Sequence, residues 1–345
     1  MRIAVVAPAW LPVPPPAYGG TEAVVDALAT GLQEAGHDVL LIGHPDSTCP
    51  VPRTSVVPAA DTVPMGRASI ELEHAIGAYR LAADYNVVSD HTIGGPLHSA
   101  SYPHLPVVAT NHNPFSRTRD VIYSTLVGRG AIVAISESHA ASTRLPIAAV
   151  IHHGLDVEQF PVGSGAGGYL AMLTRMTPDK GIHRAIRLAR RAGVPLRIAA
   201  KIRERHEREY FDSVIAPLLG DGIEFLGEVD AIGKRVLLAD AAALLNPIEW
   251  DEPFGMAMLE SLACGTPVVA TPRGAAPEIV VPSITGYLAA DDDQLVSSIG
   301  ALDRIDRAAC RQHVRDRFSI TAMCTAYTKV FEQEIERQRA ATVGS

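Results

Sequence analysis

Two successive series of short, apolar, β-branched runs separated by helical stretches limit the fold of this chain more than any other feature. The first series opens with Arg2 to Ala7, followed by a helical pattern over Glu22 to Glu34 that Gly36 closes, and by a second run, Val39 to Ile42. That is a βαβ unit. Further strand candidates are Val87 to Ser89, Val107 to Thr110, Ala131 to Ile135 and Ala149 to Ile151, with a helical stretch over Ser69 to Ala83. The second series places strands at Tyr169 to Leu173, Leu196 to Ala200, Ile223 to Leu226, Ala243 to Leu245 and Val268 to Ala270. Unbroken apolar strands alternating with helices predict parallel sheets with helical crossovers. The expected class is α/β, with two Rossmann-like, doubly wound domains facing a central cleft and ligands at the carboxyl ends of the strands.

Gly163 to Gly168, GSGAGG, is a small-residue joint of the kind that separates domains. It predicts a first Rossmann-like domain over 1–162 and a second over 163–318. A helical segment, 319–345, is expected to pack back across the domain junction. At 345 residues and 47% hydrophobic content, each half can bury a core.

Charge and composition narrow the partners. A net charge of -8 argues against nucleic acid, because binding a phosphate backbone needs a basic surface. Arg184, Arg187 and Arg191 fall on one helical face opposite Ile182, Ile186 and Ala189, which reads as a solvated polar face and leaves at most peripheral membrane contact. No apolar run approaches the length of a membrane span. MRIAVVAPAW carries one basic residue and runs into a proline-rich loop, so it reads as a first strand and not as a signal peptide. Cys49, Cys264, Cys310 and Cys324 make no CxxC spacing and predict reduced thiols in a cytoplasmic protein. Thirteen histidines without an HxxxH pattern predict no metal site.

The chemistry concentrates in a few loops. In DEPFGMAMLESLACG, Pro253 and Gly255 mark a turn, and Met256, Leu259, Leu262 and Ala263 then recur at helical spacing until Gly265. Glu252 therefore lies in the loop and Glu260 on the helix. On one helix the two carboxylates would stand roughly 80° and about 12 Å apart, so they can grip two parts of an extended ligand. Free N–H groups around Gly255 to Ala257 favour phosphate, and carboxylates suit hydroxyl donors. Taken alone, the same pair would serve equally as a helix-dipole complement and a surface charge. In TRMTPDKG, Arg175 and Lys180 flank a turn that opens a helix, which suits a diphosphate; surface charges near a turn are the alternative.

Tyr18-Gly19-Gly20-Thr21-Glu22 ends a long loop and starts a helix, with glycines that let backbone approach a ligand and Thr21 as a cap. The loop carries Pro8, Pro12, Pro14, Pro15 and Pro16, and it is neither GxGxxG nor GxxxxGK[ST]. His112, in VVATNHNPF, follows a central strand directly, where an imidazole either points into a crevice or is satisfied structurally. His91, in SDHTIGG, has the equivalent position and reads as structural.

Together these residues resemble the GT4 family of retaining glycosyltransferases, which have the GT-B fold. The resemblance covers nearly the whole chain: YGGTE, NHN, AISE, HHGLDVEQF, TRMTPDKG, GEV, EPFGMAMLE, CGTPVVAT and the Gly274 to Glu278 segment. It implies an acceptor-side first domain and a nucleotide-sugar donor domain second. Carried over, it implies that Arg175 and Lys180 bind the donor diphosphate and Glu260 the ribose hydroxyls. Glu252, with the backbone of Phe254, Gly255 and Met256, would hold the sugar and α-phosphate, and His112 would lie beside the sugar ring. Gly19 and Gly20 would line the phosphates, and Tyr18, Phe115 and Arg117 would lie on the acceptor side. Where the family has a Gly-rich turn this chain has Ala199-Ala200-Lys201, and where AsnGlyValAsp is common it has His153-Gly154-Leu155-Asp156.

The implied activity is transfer of a hexosyl group from a nucleoside diphosphate sugar, with a UDP sugar the expected donor, to an acceptor hydroxyl with retention. The acceptor would be a small molecule, a glycan or a natural product. No metal and no cofactor beyond that co-substrate are implied. The rivals are a sugar-nucleotide epimerase of the same fold and a non-catalytic nucleotide-sugar binding protein.

Overall fold

A computed structural model describes residues 1–17, 19–58 and 65–343. Strands β1 (Arg2–Val6), β2 (Asp38–Ile42), β3 (Arg53–Thr54), β4 (Val87–Asp90), β5 (Val107–Thr110), β6 (Ala131–Ala134) and β7 (Ala149–Val150) form one sheet. Its order is β3-β2-β1-β4-β5-β6-β7 and its ladders are parallel. The second sheet holds β8 (Leu170–Arg175), β9 (Leu196–Lys201), β10 (Ile223–Gly227), β11 (Ala243–Asn246), β12 (Val268–Ala270) and β13 (Gly286–Leu288). Its order is β10-β9-β8-β11-β12-β13, again parallel. Strand order reverses between β1 and β4 in one sheet and between β8 and β11 in the other, and loops at such switch points are where open α/β sheets bind ligands. Both sheets are Rossmann-like.

The central strands form where every residue is buried: Val107–Thr110, Ala131–Ala134, Ala243–Asn246 and Val268–Ala270 each lack an exposed position. Alternation is absent because helices cover both faces. In the first unit the core gathers Ala4, Val6, Ile42, Val88, Ala109 and Ile132 around Tyr79 and Tyr123. In the second it gathers Leu170, Met172, Ile198 and Leu245 beneath Ile182, Ile186 and Leu188. The helix Ile182–Ala192 buries the apolar face expected of it, but its arginine face is not simply solvated. Arg184 Nε donates to Asp292 at 2.7 Å and Arg191 pairs with Asp293, so both close onto the helix Asp292–Ile299.

The chain divides into two units, Met1–Gly154 with Ile320–Ser345, and Leu155–Ser319. Segment 155–162 goes with the second unit for identifiable reasons: Leu155 N donates to Phe318 O at 3.0 Å, and Arg311 Nη1 donates to Phe160 O at 2.8 Å. The helix Ile320–Val343 packs on the helix Gly20–Glu34 of the first unit. A Cβ on Gly31 would stand 2.4 Å from Ile320 Cγ2, so only glycine admits this approach. Tyr327 and Thr110 share a hydroxyl hydrogen bond at 2.9 Å, and Arg337 Nη1 donates to Gly128 O at 3.1 Å. The four cysteines are free and buried, and burial pushes each thiol up to about 12. No helix among the described residues is long and apolar enough to cross a membrane.

Candidate active site

In the second unit three loops converge at the carboxyl edge of the sheet. The turn Pro178–Lys180 follows β8, and Gly181 closes it with φ 70, a left-handed conformation. A Cβ on Gly181 would lie 2.3 Å from Pro247 O, and Glu249 N donates to Asp179 O at 2.8 Å, so this turn is sewn to the loop after β11. That loop is fixed from the other side by Gly274, whose Cβ would lie 2.2 Å from Glu252 O, and by Ala275 N, which donates to Glu252 O at 3.0 Å. Gly255, at φ 107, then starts the helix Met256–Ala263 with no side chain capping it, which leaves first-turn N–H groups to serve a ligand.

These loops bring Lys180 and Glu252 together. Lys180 Nζ lies 2.6 Å from Glu252 Oε1, with the lysine side chain 7% and the glutamate 22% exposed. A buried ammonium needs such a partner, because desolvation without one costs several kcal/mol. Glu260, on the second turn of the helix, is 8% exposed and paired with Lys234 of the helix Ala231–Asp240. Lys234 stands in AIGKRV, a stretch without a motif or turn signal that would select it.

Arg175 ends β8 in register with Lys201 of β9. Among the described residues Arg175 has no carboxylate at ion-pair distance, and its charge acts on Lys201 and on the buried Glu207. Lys201 is neither an open surface lysine nor part of a flexible turn: β9 runs on through Ala199 and Ala200, and its Nζ lies 3.8 Å from the buried Glu207. Burial, then the charge of Arg175, lowers the Lys201 ammonium, against the opposing pull of Glu207. The Phe254 ring is buried and packs edge-on against Phe318 at 6.2 Å.

In the first unit His112 is one of a cluster of three imidazoles. His91 Nδ1 and His112 Nε2 share a hydrogen bond at 2.8 Å, His91 Nε2 meets Ser89 Oγ at 3.0 Å, and the rings of His112 and His153 stack at 5.2 Å. Burial pushes His91 and His153 down to about 3 and His112 well below its ordinary value. His112 is therefore a neutral hydrogen-bonding group and not a cation. Gly19 is tightly enclosed, since a Cβ there would stand 2.6 Å from Pro15 Cβ, whereas Gly20 has open space. Thr21 is not the cap expected of it: the helix begins at Gly20, so Thr21 is already helical and Gly19 is the capping residue. Glu22, the last residue of the YGGTE segment, is buried beside this turn, and burial raises its carboxyl.

Phe115 is committed to packing, stacked on His139 at 4.5 Å and edge-on to Tyr123 at 6.0 Å. Arg117 is exposed at the start of the helix Arg117–Ser124, which Ser116 caps. Tyr18 lies outside the described residues.

The neutral histidines carry a pH dependence of stability. His139, also buried, sits at about 4 for the same reason, desolvation. Below the ordinary histidine value of about 6.5 the unfolded chain takes up protons that the folded unit refuses, so stability falls from about pH 6.5 towards 4, by up to ~1.4 kcal/mol per pH unit for each group. Asp90, pushed up to about 6 by burial, acts in the opposite direction over part of this window. His153→Asn is expected to flatten the fall of melting temperature between pH 6.5 and 4, measured by circular dichroism. An unchanged slope would show that His153 is protonated in the folded state.

Two family models match the chain. The model described as Glycosyl transferases group 1 matches residues 164–311, and Glycosyltransferase Family 4 matches residues 18–159. A glycogen synthase of Mycobacterium tuberculosis is 26% identical over 400 residues, covering 96% of this chain and 94% of its own. Among solved structures, AviGT4, a glycosyltransferase involved in avilamycin A biosynthesis, is 26% identical with a TM-score of 0.77, covering 97% of this chain and 98% of its own. HepE of Anabaena, solved in complex with UDP and glucose, is 19% identical with a TM-score of 0.76, covering 96% and 99%, a likeness of fold.

Proposed function

The chain belongs to the GT4-type glycosyltransferases, and from that premise we propose that it moves a hexosyl group from a UDP sugar to an acceptor hydroxyl with retention and without a metal. The observation that carries this reading is the pair of ion pairs Lys180–Glu252 and Lys234–Glu260 beside the N-terminus of the helix Met256–Ala263. Each pair holds one group suited to phosphate and one suited to hydroxyls. Arg175 and Lys180, with the helix N–H groups, are assigned to the diphosphate, Glu260 to the ribose and Glu252 to the hexose. His112, neutral and hydrogen-bonded, is assigned as the candidate catalytic group of the first unit. A UDP sugar is favoured because a neighbour of the same fold holds UDP and glucose.

The reaction breaks the bond from C1 to the β-phosphate oxygen and forms one from C1 to the acceptor oxygen. Charge appears on the leaving phosphate, and fixed cations with helix N–H groups aimed there lower the barrier. The acceptor hydroxyl proton goes to the departing phosphate oxygen on the same face, so no separate base is assigned. A thermal-shift screen of UDP, GDP and ADP sugars is expected to single out a UDP sugar, and proton NMR of the first product is expected to show the donor's anomeric configuration. EDTA should leave the rate unchanged. An inverted anomeric centre would overturn the retaining assignment.

A further inference from the structure

Among the described residues two groups hold Lys180, and one of them is not an acid. The lysine Nζ also lies 4.6 Å from the centroid of the Trp250 ring. An ammonium within about 6 Å of an indole face is attracted by the ring quadrupole, more strongly when water is excluded, and the Lys180 side chain is almost wholly shielded. Trp250 stands in the loop after β11, the same loop that Glu249 N and Gly181 lock onto the lysine's own turn. The two residues are thus held against each other by backbone contacts that need neither side chain.

Among the described residues Trp250 Nε1 is shielded from solvent and has no hydrogen-bond acceptor. Leaving a buried donor unsatisfied is unfavourable, and a phenylalanine or leucine would fill space here without that cost. What tryptophan adds is the most electron-rich ring face of any side chain, and that face meets the ammonium. Glu252 cannot hold Lys180 alone through a catalytic cycle, because a carboxylate that turns to sugar hydroxyls gives up part of its bond to the lysine. The ring face stays.

We infer that Trp250 is a positioning residue, whose ring face fixes the Lys180 ammonium for a diphosphate while Glu252 is engaged by the sugar. The inference rests on the reading of Lys180 as a diphosphate ligand, so the experiment separates the two. Calorimetry without acceptor would compare the tightest-binding of the UDP, GDP and ADP sugars, whose hexose engages Glu252, with its matching nucleoside, on wild type, Trp250→Leu, Trp250→Phe, Lys180→Ala and the Lys180→Ala/Trp250→Leu double variant. Trp250→Leu is expected to weaken the diphosphate about tenfold and to leave the nucleoside unchanged. Trp250→Phe, which keeps a ring face and drops the N–H, should recover most of the affinity. In the Lys180→Ala background Trp250→Leu should have no further effect. Parallel losses for nucleoside and diphosphate, or additive losses in the double variant, would mean a merely structural role and overturn the inference. An unaltered diphosphate affinity in Lys180→Ala would overturn the donor-site reading itself, and this inference with it.

Discussion

Lys180→Ala is expected to weaken UDP binding by about a hundredfold and to lower the transfer rate at least as much, since a charge-assisted hydrogen bond in a shielded site is worth about 1.5–3 kcal/mol. Two losses add. The ammonium no longer meets the diphosphate, and Glu252 keeps its charge without a counterion in the place where an anion must bind. Like charges at a few ångströms repel strongly when water is partly excluded. The variant should still fold, because Glu252 at 22% exposure can be hydrated and its backbone is fixed by Gly274 and Ala275. Lys180→Met, which keeps the apolar stem against Trp250, separates packing from charge: it should melt near wild type and bind UDP as poorly as alanine. Calorimetry that found wild-type affinity in both variants would remove Lys180 from the donor site.

How far this site was legible in the sequence follows from the kind of signal each residue carries. Arg175, Lys180, Glu252 and Glu260 stand at strand ends and at a helix start, and local pattern marks those places: an apolar run stops, a Pro or Gly turn follows, and polar groups there must meet water or a ligand. Lys234 and Trp250 lack such a mark. Lys234 becomes significant because its helix lies beside Glu260, and Trp250 because Pro247 to Glu249 is tied to the turn after β8. Both are facts of tertiary contact. The same divide runs through the fold. β5 and β12 were legible with their bounds because every residue is apolar or small and buried, whereas β3 is an Arg-Thr pair at a sheet edge with no pattern to read. β13 escaped notice because it opens on glycine: a Cβ on Gly286 would stand 1.9 Å from Val268 O, so close strand pairing here requires a residue of low β propensity. The arginine face of Ile182–Ala192 was misread for a related reason, since the acids that cover it arrive more than a hundred residues later.

Glu252→Gln is expected to act with opposite signs on binding and on turnover, which makes it the sharpest probe of what this carboxylate does. The substitution is isosteric, and the backbone at 252 is clamped by Gly274 and Ala275, so the amide oxygen takes the place of Oε1 beside Lys180. What changes is charge. Lys180 loses the anion that competes with a diphosphate for it, and nucleotide affinity should stay level or rise a few-fold. Saturating UDP should then raise the melting temperature at least as much as in wild type, because a ligand stabilises by mass action on the folded state. Turnover should fall by about 10²–10³-fold, the usual cost of removing one group preorganised for the transition state, since an amide is a weaker acceptor for the hexose hydroxyls and does not favour positive charge developing at C1. A carboxylate that merely neutralised Lys180 would give another pattern, with tighter nucleotide binding and a rate near wild type. One that only supported the loop would lose affinity and rate together. Measuring UDP affinity by calorimetry alongside the single-turnover rate therefore distinguishes a sugar-facing Glu252 from both, and the same pair of measurements on Lys180→Ala must move together if the lysine and the glutamate have separate tasks.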